Sequence, residues 1–161
     1  MSPIDVVLEN MEYLDILDGK TIYTIGYERR SIDEFIKILK DNQIELVIDV
    51  REIPLSRKKG FSKNKLKEIL TEHGIGYVHL KFLGTPKELR DKLKSGKISF
   101  IEFMDEYLSH LDKNIESLKE LLRYAVEYRS VLMCYEKDWR KCHRSIIAKE
   151  LGKIDFKVVN L

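Results

Sequence analysis

Short apolar segments alternate with amphipathic segments along this sequence, and this alternation constrains the fold more than any other feature. Five segments are rich in β-branched and aromatic residues and predict strands, over residues 21–26, 45–50, 77–80, 130–134 and 156–159. Helical spacing of apolar residues between most of them indicates crossover helices, which connect parallel strands. The sequence therefore predicts a three-layer α/β/α fold, Rossmann-like, with a mainly parallel sheet of about five strands.

An additional helix is predicted before the first strand, over residues 3–17, because Ser2-Pro3 is a typical helix start. Further helices are predicted after Ser31, around 66–70, as two or three helices over 87–128, and from about Cys142 to Leu151. Neither a linker nor an internal repeat interrupts the 161 residues. We therefore expect residues 1–161 to form a single domain, and the first helix is a candidate subunit contact.

The composition is that of a globular protein, with 43% hydrophobic and 35% charged residues. Charges interrupt every apolar stretch well before the roughly 18 residues of a membrane span, and the N-terminus lacks the pattern of a secretory signal. Two cysteines do not suffice for a secreted disulfide scaffold. We expect a cytoplasmic protein without membrane contact, and its abundant Lys, Glu and Ile resemble thermophilic compositions.

Polar and basic residues follow the predicted strands. The carboxyl ends of parallel strands share one edge of a sheet, and ligands bind there. This edge can be strongly positive although the net charge is only +2. The predicted ligand-binding residues at this edge are Gly26, Tyr27, Arg29, Arg51, Ser56, Gly84 and Arg144. Simple solvation of Lys-rich loops is the alternative interpretation.

Two cysteines and a histidine are the strongest candidates for chemistry. Cys142 is predicted at a helix start beside His143, where the helix dipole and positive neighbours favour a thiolate. Cys134 ends a strand and is a candidate second nucleophile or resolving cysteine. The full set of candidate catalytic residues is Cys142, His143, Asp49, Glu136 and Cys134.

Three further interpretations of these cysteines are possible. Arg140 follows Cys134 at the spacing of cysteine phosphatases, but the intervening loop lacks the glycine that such anion-binding loops usually need. Zinc binding by both cysteines and His143 is a second possibility, with Asp49, His79 or Glu136 as the fourth ligand. Against zinc, adjacent residues in the first turn of a helix should point in different directions. The third is that the cysteines are simply buried core residues. We expect no cofactor, and zinc stays an open alternative.

Several motifs together resemble the domain-of-unknown-function family 488, over roughly residues 21–151. They are Thr24-Ile25-Gly26-Tyr27, Asp49-Val50-Arg51-Glu52-Ile53-Pro54, Tyr77-x-His79-Leu80, Leu83-Gly84, Cys134-Tyr135-Glu136 and Cys142-His143-Arg144. The resemblance implies an α/β fold and the same polar cluster, without a settled activity. Many members have histidine where this chain has Tyr27. A weaker likeness connects the Asp49-Val50-Arg51-Glu52 strand end and the strand ending in Cys134 to rhodanese-like domains.

Three functional hypotheses follow from these residues. The first is a small enzyme acting on an anionic ligand, such as a nucleotide or nucleic acid, with Arg51 and Arg144 neutralising phosphate. The second is a non-catalytic nucleic-acid binding module, with the basic residues of 57–67 as phosphate contacts and Phe61 as a stacking surface. The third is a redox-responsive protein in which Cys134 and Cys142 form a reversible disulfide.

Overall fold

A parallel sheet forms the centre of the protein, whose computed structural model describes residues 2–9 and 19–161. The strands are β1 (Thr21–Gly26), β2 (Leu46–Asp49), β3 (Gly76–His79), β4 (Ser130–Cys134) and β5 (Lys157–Asn160). All neighbouring strands run parallel, in the order β3-β2-β4-β1-β5. The predicted fold class is confirmed.

Seven helices surround this sheet in the described part of the chain. They are α1 (Pro3–Leu8), α2 (Ile32–Asp41), α3 (Lys63–Glu72), α4 (Lys87–Lys94), α5 (Phe100–Asp112), α6 (Ile115–Glu127) and α7 (His143–Gly152). The region 87–128 thus forms three helices, within the predicted range. None of the helices in the described ranges is long and apolar enough to cross a membrane.

The predicted N-terminal helix is present as α1, which ends at Leu8 with Glu9 as its C-cap. Residues 10–17 of that prediction lie outside the described residues. The α1 helix packs against α5, α6 and α7. Its side chains Ile4 and Val7 are completely buried. This part of the helix therefore covers its own domain, and its role as a subunit contact stays a prediction.

Each face of the sheet has its own hydrophobic core because strand side chains alternate between the faces. In β4, Val131 and Met133 pack in the core under α2 and α3, whereas Leu132 and Cys134 belong to the core under the other helices. All five residues of β4 are buried. A central strand covered on both faces explains why 130–134 is apolar without a polar alternation.

The strand order creates a crevice between β2 and β4. The chain leaves β2 toward the outer strand β3, whereas it leaves β4 toward β5 at the opposite edge. Neighbouring strands whose connections diverge in this way leave a crevice beyond their carboxyl ends, where ligands bind in open parallel sheets. Asp49 and Cys134 are the last residues of these two strands. The topology therefore brings the two predicted halves of the site together.

Candidate functional site

The sulfur–imidazole cluster consists of Cys134, Cys142 and His143. Cys142 is the N-cap of α7, and His143 is its first residue. The Sγ atom of Cys142 lies 3.7 Å from Nδ1 of His143, and the two cysteine sulfurs are paired as a disulfide. The three potential ligand atoms all lie within 4.8 Å of one another, and all three residues are buried.

The expectation that Cys142 and His143 point in different directions is wrong. The backbone of Cys142 is extended, with φ −124° and ψ 143°. Cys142 therefore lies outside the helix proper. The rotation of about 100° between successive side chains of a helix does not apply to the pair Cys142 and His143. This one-residue difference in the helix start brings the sulfur and the imidazole to the same side.

His143 is held in one tautomer. Its Nε2 lies 2.6 Å from the main-chain oxygen of Val50, and a carbonyl oxygen can only accept, so Nε2 carries the hydrogen. Burial lowers the pKa of His143 to about 4, so the ring is neutral at neutral pH. Nδ1 therefore presents a lone pair beside the Cys142 sulfur. Tyr107 packs edge-on against the imidazole at 5.5 Å between ring centres.

Arg144 supports the loop after β4 from inside the protein and is completely buried. Its Nη1 donates to Sγ of Cys134 at 3.0 Å and to the main-chain oxygen of Glu136, while Nη2 donates to that of Lys137 at 3.2 Å. The loop thus directs carbonyl oxygens toward an internal cation. A phosphatase or rhodanese loop instead needs main-chain amides that face an anion. In this conformation Arg144 is not accessible to a ligand phosphate.

Asp49 and Arg51 form a buried ion pair. Nε and Nη2 of Arg51 donate to the two carboxylate oxygens of Asp49 at 2.9 and 2.7 Å. The remaining nitrogen, Nη1, donates to the main-chain oxygen of Phe61 at 2.7 Å and to the Tyr27 hydroxyl at 3.2 Å. Burial and the negative charge of Asp49 raise the pKa of Tyr77, whose hydroxyl donates to Asp49 at 2.5 Å. All three side-chain nitrogens of Arg51 therefore already donate to groups within the protein.

A cleft of about 890 Å³ opens beside the cluster, a volume within the usual range for small-molecule sites. Predicted site residues that line it are Tyr27, Arg51, Ser56, Cys134, Glu136, Cys142 and His143. Its lining also includes the apolar side chains Ile53, Leu55, Leu93, Phe100 and Phe103. The cleft thus joins a largely apolar wall to the chemically distinctive cluster.

Glu136 connects the cluster to the cleft. Its Oε2 lies 3.5 Å from Sγ of Cys134, and the residue lines the cleft. Burial raises the pKa of the Glu136 carboxyl. Glu136 is therefore the carboxyl group of the predicted catalytic set that directly contacts a cysteine sulfur.

Five predicted residues are absent from the lining of the cleft, namely the buried Asp49 and Arg144 together with Arg29, Gly26 and Gly84. Arg29 is exposed with a positive φ of 61°. An added Cβ at Gly26 would lie 1.8 Å from the Glu136 oxygen, and one at Gly84 would lie 2.1 Å from the Glu52 nitrogen. Both glycines allow main-chain segments to pack closely. Their contribution in this structure is to loop packing.

Helices α4 and α5 and the loop before α7 bring further residues to the cleft that were not predicted from the sequence. Arg90 donates to Glu52 and to the main-chain oxygen of Thr85, both at 2.8 Å. Lys94 and Lys141 also line the cleft, and neither pairs with a carboxylate within the described ranges. No motif marks these cations, and only their tertiary position distinguishes them from other charged residues.

The fold and site define an α/β protein with a cysteine–histidine cleft at the carboxyl edge of a parallel sheet. The family model described as domain of unknown function DUF488 matches residues 31–151, and the chain belongs to this family. The matched range contains both halves of the site and leaves out the Thr24-Ile25-Gly26-Tyr27 segment. Neither a curated protein nor a solved structure matches the chain.

Proposed function

We propose that this protein is a small enzyme that acts on an anionic ligand in the cleft, with the sulfur–imidazole cluster as its reacting centre. The observation that carries the proposal is the unprotonated Nδ1 of His143 beside two cysteine sulfurs in the lining of a ligand-sized cleft. A cleft that contains a cysteine, a histidine and a carboxyl group is the typical setting of catalysis.

The surroundings of both sulfurs favour the thiolate form once the cysteines are reduced. Arg144 donates to Sγ of Cys134 at 3.0 Å. Cys142 stands at the N-terminus of the ten-residue helix α7, where the helix dipole favours negative charge. A thiolate is the reactive form of cysteine, both as a nucleophile and as a metal ligand. These contacts support a chemical role beyond packing.

The lining of the cleft indicates a ligand with an apolar body and an anionic group. The apolar residues of its wall suit a ring or an aliphatic portion. Lys94 and Lys141 are exposed cations in the same lining, and they replace Arg51 and Arg144 as candidate partners of the anion. A nucleotide or a similar phosphorylated small molecule has this combination of features.

A nucleotide panel measured by thermal shift on the reduced protein tests the ligand class. We expect stabilisation by at least one nucleoside phosphate, and weaker stabilisation in the Lys94→Ala/Lys141→Ala variant. The matched control is Lys65→Ala/Lys67→Ala, which removes two exposed lysines of α3 outside the cleft lining. Absence of any shift across the panel, or equal shifts in both double variants, contradicts the proposal.

The nucleic-acid module is less favoured than the enzyme. Phe61 is completely buried, stacked on Tyr27 with ring centres 4.5 Å apart and edge-on to Phe35 at 5.2 Å. It cannot serve as the predicted surface for bases in this conformation. The exposed lysines of this region remain as phosphate contacts, which provide salt-sensitive binding without stacking.

A reversible disulfide is the second candidate function, and the proximity of the Cys134 and Cys142 sulfurs favours it. Their Cα atoms are 7.7 Å apart, so a relaxed disulfide needs a movement of the main chain. In exchange with oxidised glutathione, the two thiols lose two protons and two electrons to the glutathione disulfide, which becomes two thiols. Intact mass measured after equilibration in glutathione buffers reports the loss of two hydrogen atoms. An unchanged mass across the full range of buffers would refute a redox response.

A further inference from the structure

We infer that Cys134, Cys142 and His143 bind one zinc-type divalent cation whose fourth coordination position faces the cleft. The inference deepens the proposed function and rests on it for the claim that the cluster is the reacting centre. It concerns the reduced protein, because a thiolate and not a disulfide binds a metal ion.

The spacing of Cys142 and His143 fits tetrahedral coordination, and the three candidate ligand atoms lie within 4.8 Å of one another. Ligand atoms about 2.0 to 2.3 Å from a tetrahedral zinc ion lie roughly 3.3 to 3.8 Å from one another. The distance from Sγ of Cys142 to Nδ1 of His143 is 3.7 Å. Sγ of Cys134 and Oε2 of Glu136 are 3.5 Å apart. The edge between Cys142 and His143 is thus close to its expected length, and the Glu136 carboxyl lies near the open position without being counted as a ligand.

The two sulfurs would have to separate to about 3.8 Å around such an ion. Their main-chain positions leave room for this, since the Cα atoms of Cys134 and Cys142 are 7.7 Å apart. That separation is beyond the usual range of about 4.4 to 6.8 Å in disulfides. A rotation of the cysteine side chains therefore opens the space without moving the strand or the helix.

The partners around the ligands also resemble those of a metal centre. Histidine ligands usually donate their other ring N–H to a carbonyl or carboxylate, which fixes the tautomer and directs the lone pair to the metal. The hydrogen bond from Nε2 of His143 to the Val50 oxygen has this role. The hydrogen bond from Arg144 to Sγ of Cys134 compensates thiolate charge.

The donor set determines the class of cation and the kind of site. Two thiolates and one imidazole favour zinc over magnesium or calcium, which prefer oxygen ligands. Three protein ligands with an open fourth position are typical of catalytic zinc, whereas structural sites have four. All three ligands line the cleft, so a ligand or water can reach the open position. Glu136 lies beside that position without being required to hold the ion.

Cobalt titration of the reduced, chelator-treated full chain tests the inference. Thiolate ligands give cobalt a charge-transfer band in the near ultraviolet, and tetrahedral geometry gives strong visible bands. We expect saturation at one cobalt ion per chain and displacement of cobalt by zinc. A folded, reduced wild-type protein that shows no charge-transfer band would overturn the inference, whatever the variants do.

Matched variants identify the ligands. Cys134→Ser and Cys142→Ser should each lower the charge-transfer intensity and weaken binding by more than the roughly 10- to 100-fold caused by loss of an outer partner. His143→Gln is compared with His79→Gln, because His79 makes the same kind of bond, from Nε2 to the Arg51 oxygen at 2.7 Å. His143→Gln should weaken binding, and His79→Gln should match the wild type. Glu136→Gln should keep the stoichiometry. Wild-type binding by Cys142→Ser would assign the metal elsewhere and refute the site.

The metal titration and the nucleotide panel can fail separately. Cobalt binding by a protein that responds to no nucleoside phosphate keeps the metal site and refutes the ligand class. A protein that binds a nucleotide in the cleft but no cobalt keeps the ligand class and refutes the metal site.

Discussion

The buried Asp49–Arg51 pair allows a sharp test of the structure. Asp49 is completely buried and Arg51 is 7% exposed. The Asp49 carboxylate accepts three hydrogen bonds from Arg51, including one from its main-chain N–H at 3.1 Å, and a fourth from Tyr77. Asp49→Leu removes the acceptor and leaves the guanidinium buried without a compensating charge. We expect this substitution to destabilise the protein strongly.

The expected magnitude follows from the burial of the pair. Removal of one partner of a buried ion pair costs about 3–5 kcal/mol of the free energy of unfolding. With a urea m-value of about 2 kcal/mol/M, this lowers the urea midpoint by roughly 1.5–2.5 M. Urea denaturation under reducing conditions, followed by circular dichroism, measures the change. The control is Asp41→Asn, which breaks an exposed pair with Lys37 and should cost at most about 1 kcal/mol.

A second variant separates the charge imbalance from the loss of packing. Asp49→Leu/Arg51→Met removes both charges and should be more stable than Asp49→Leu alone, because no uncompensated charge remains. The reasoning is refuted if Asp49→Leu costs less than about 1 kcal/mol. It is also refuted if the double variant is no more stable than Asp49→Leu.

Three other substitutions or additions have defined outcomes. Gly26→Ala should lower the free energy of unfolding by about 1–3 kcal/mol or more, because the added Cβ would overlap the main chain of the loop after β4. The control is Gly152→Ala, whose added Cβ has its nearest contact at 3.8 Å and should not lower the urea midpoint. Tyr107→Phe should lower the free energy of unfolding by about 0.5–1.5 kcal/mol, since the buried hydrogen bond to the main-chain oxygen of Leu83 is lost. An unchanged urea midpoint would contradict that hydrogen bond. Zinc at about 100 times its dissociation constant should raise the melting temperature of the reduced wild type by roughly 5–10 °C. Cys142→Ser should show much less of this shift, and an equal shift in both proteins would contradict the assigned ligands.

The sheet edge that carries the candidate site was predictable because parallel topology alone places strand ends at one edge. Asp49 and Cys134 lie at the carboxyl ends of predicted strands, and their placement at the same edge needed no knowledge of which strands are neighbours. The strand order was not predictable, because it depends on pairing between segments far apart in sequence, such as β1 with β4. The crevice between β2 and β4 therefore required the structure.

The orientation of the arginines could not be predicted from the sequence. Arg144 bonds largely to main-chain oxygens, those of Glu136 and Lys137. The one side-chain nitrogen of Arg51 that does not bond to Asp49 also donates to a main-chain oxygen, that of Phe61. Every residue has a main-chain oxygen, so no residue pattern distinguishes an arginine that turns inward from one that faces a ligand. The helix was predicted to begin at about Cys142, and it begins one residue later, at His143. Because of this difference, the side chains of Cys142 and His143 lie on the same side and not in different directions.

Val50 joins two parts of the protein that lie on opposite sides of the sheet. Its main-chain N–H donates to the Met133 oxygen at 3.1 Å, and its oxygen accepts from His143. The flanking residues Asp49 and Arg51 belong to the polar network under α2 and α3, while the imidazole lies under α5 and α7. The main chain of a single residue thus links the imidazole to the central strand β4. Any shift of the chain after β2, whether by substitution or by an occupant of the cleft, would turn the histidine ring and change its alignment with the sulfurs.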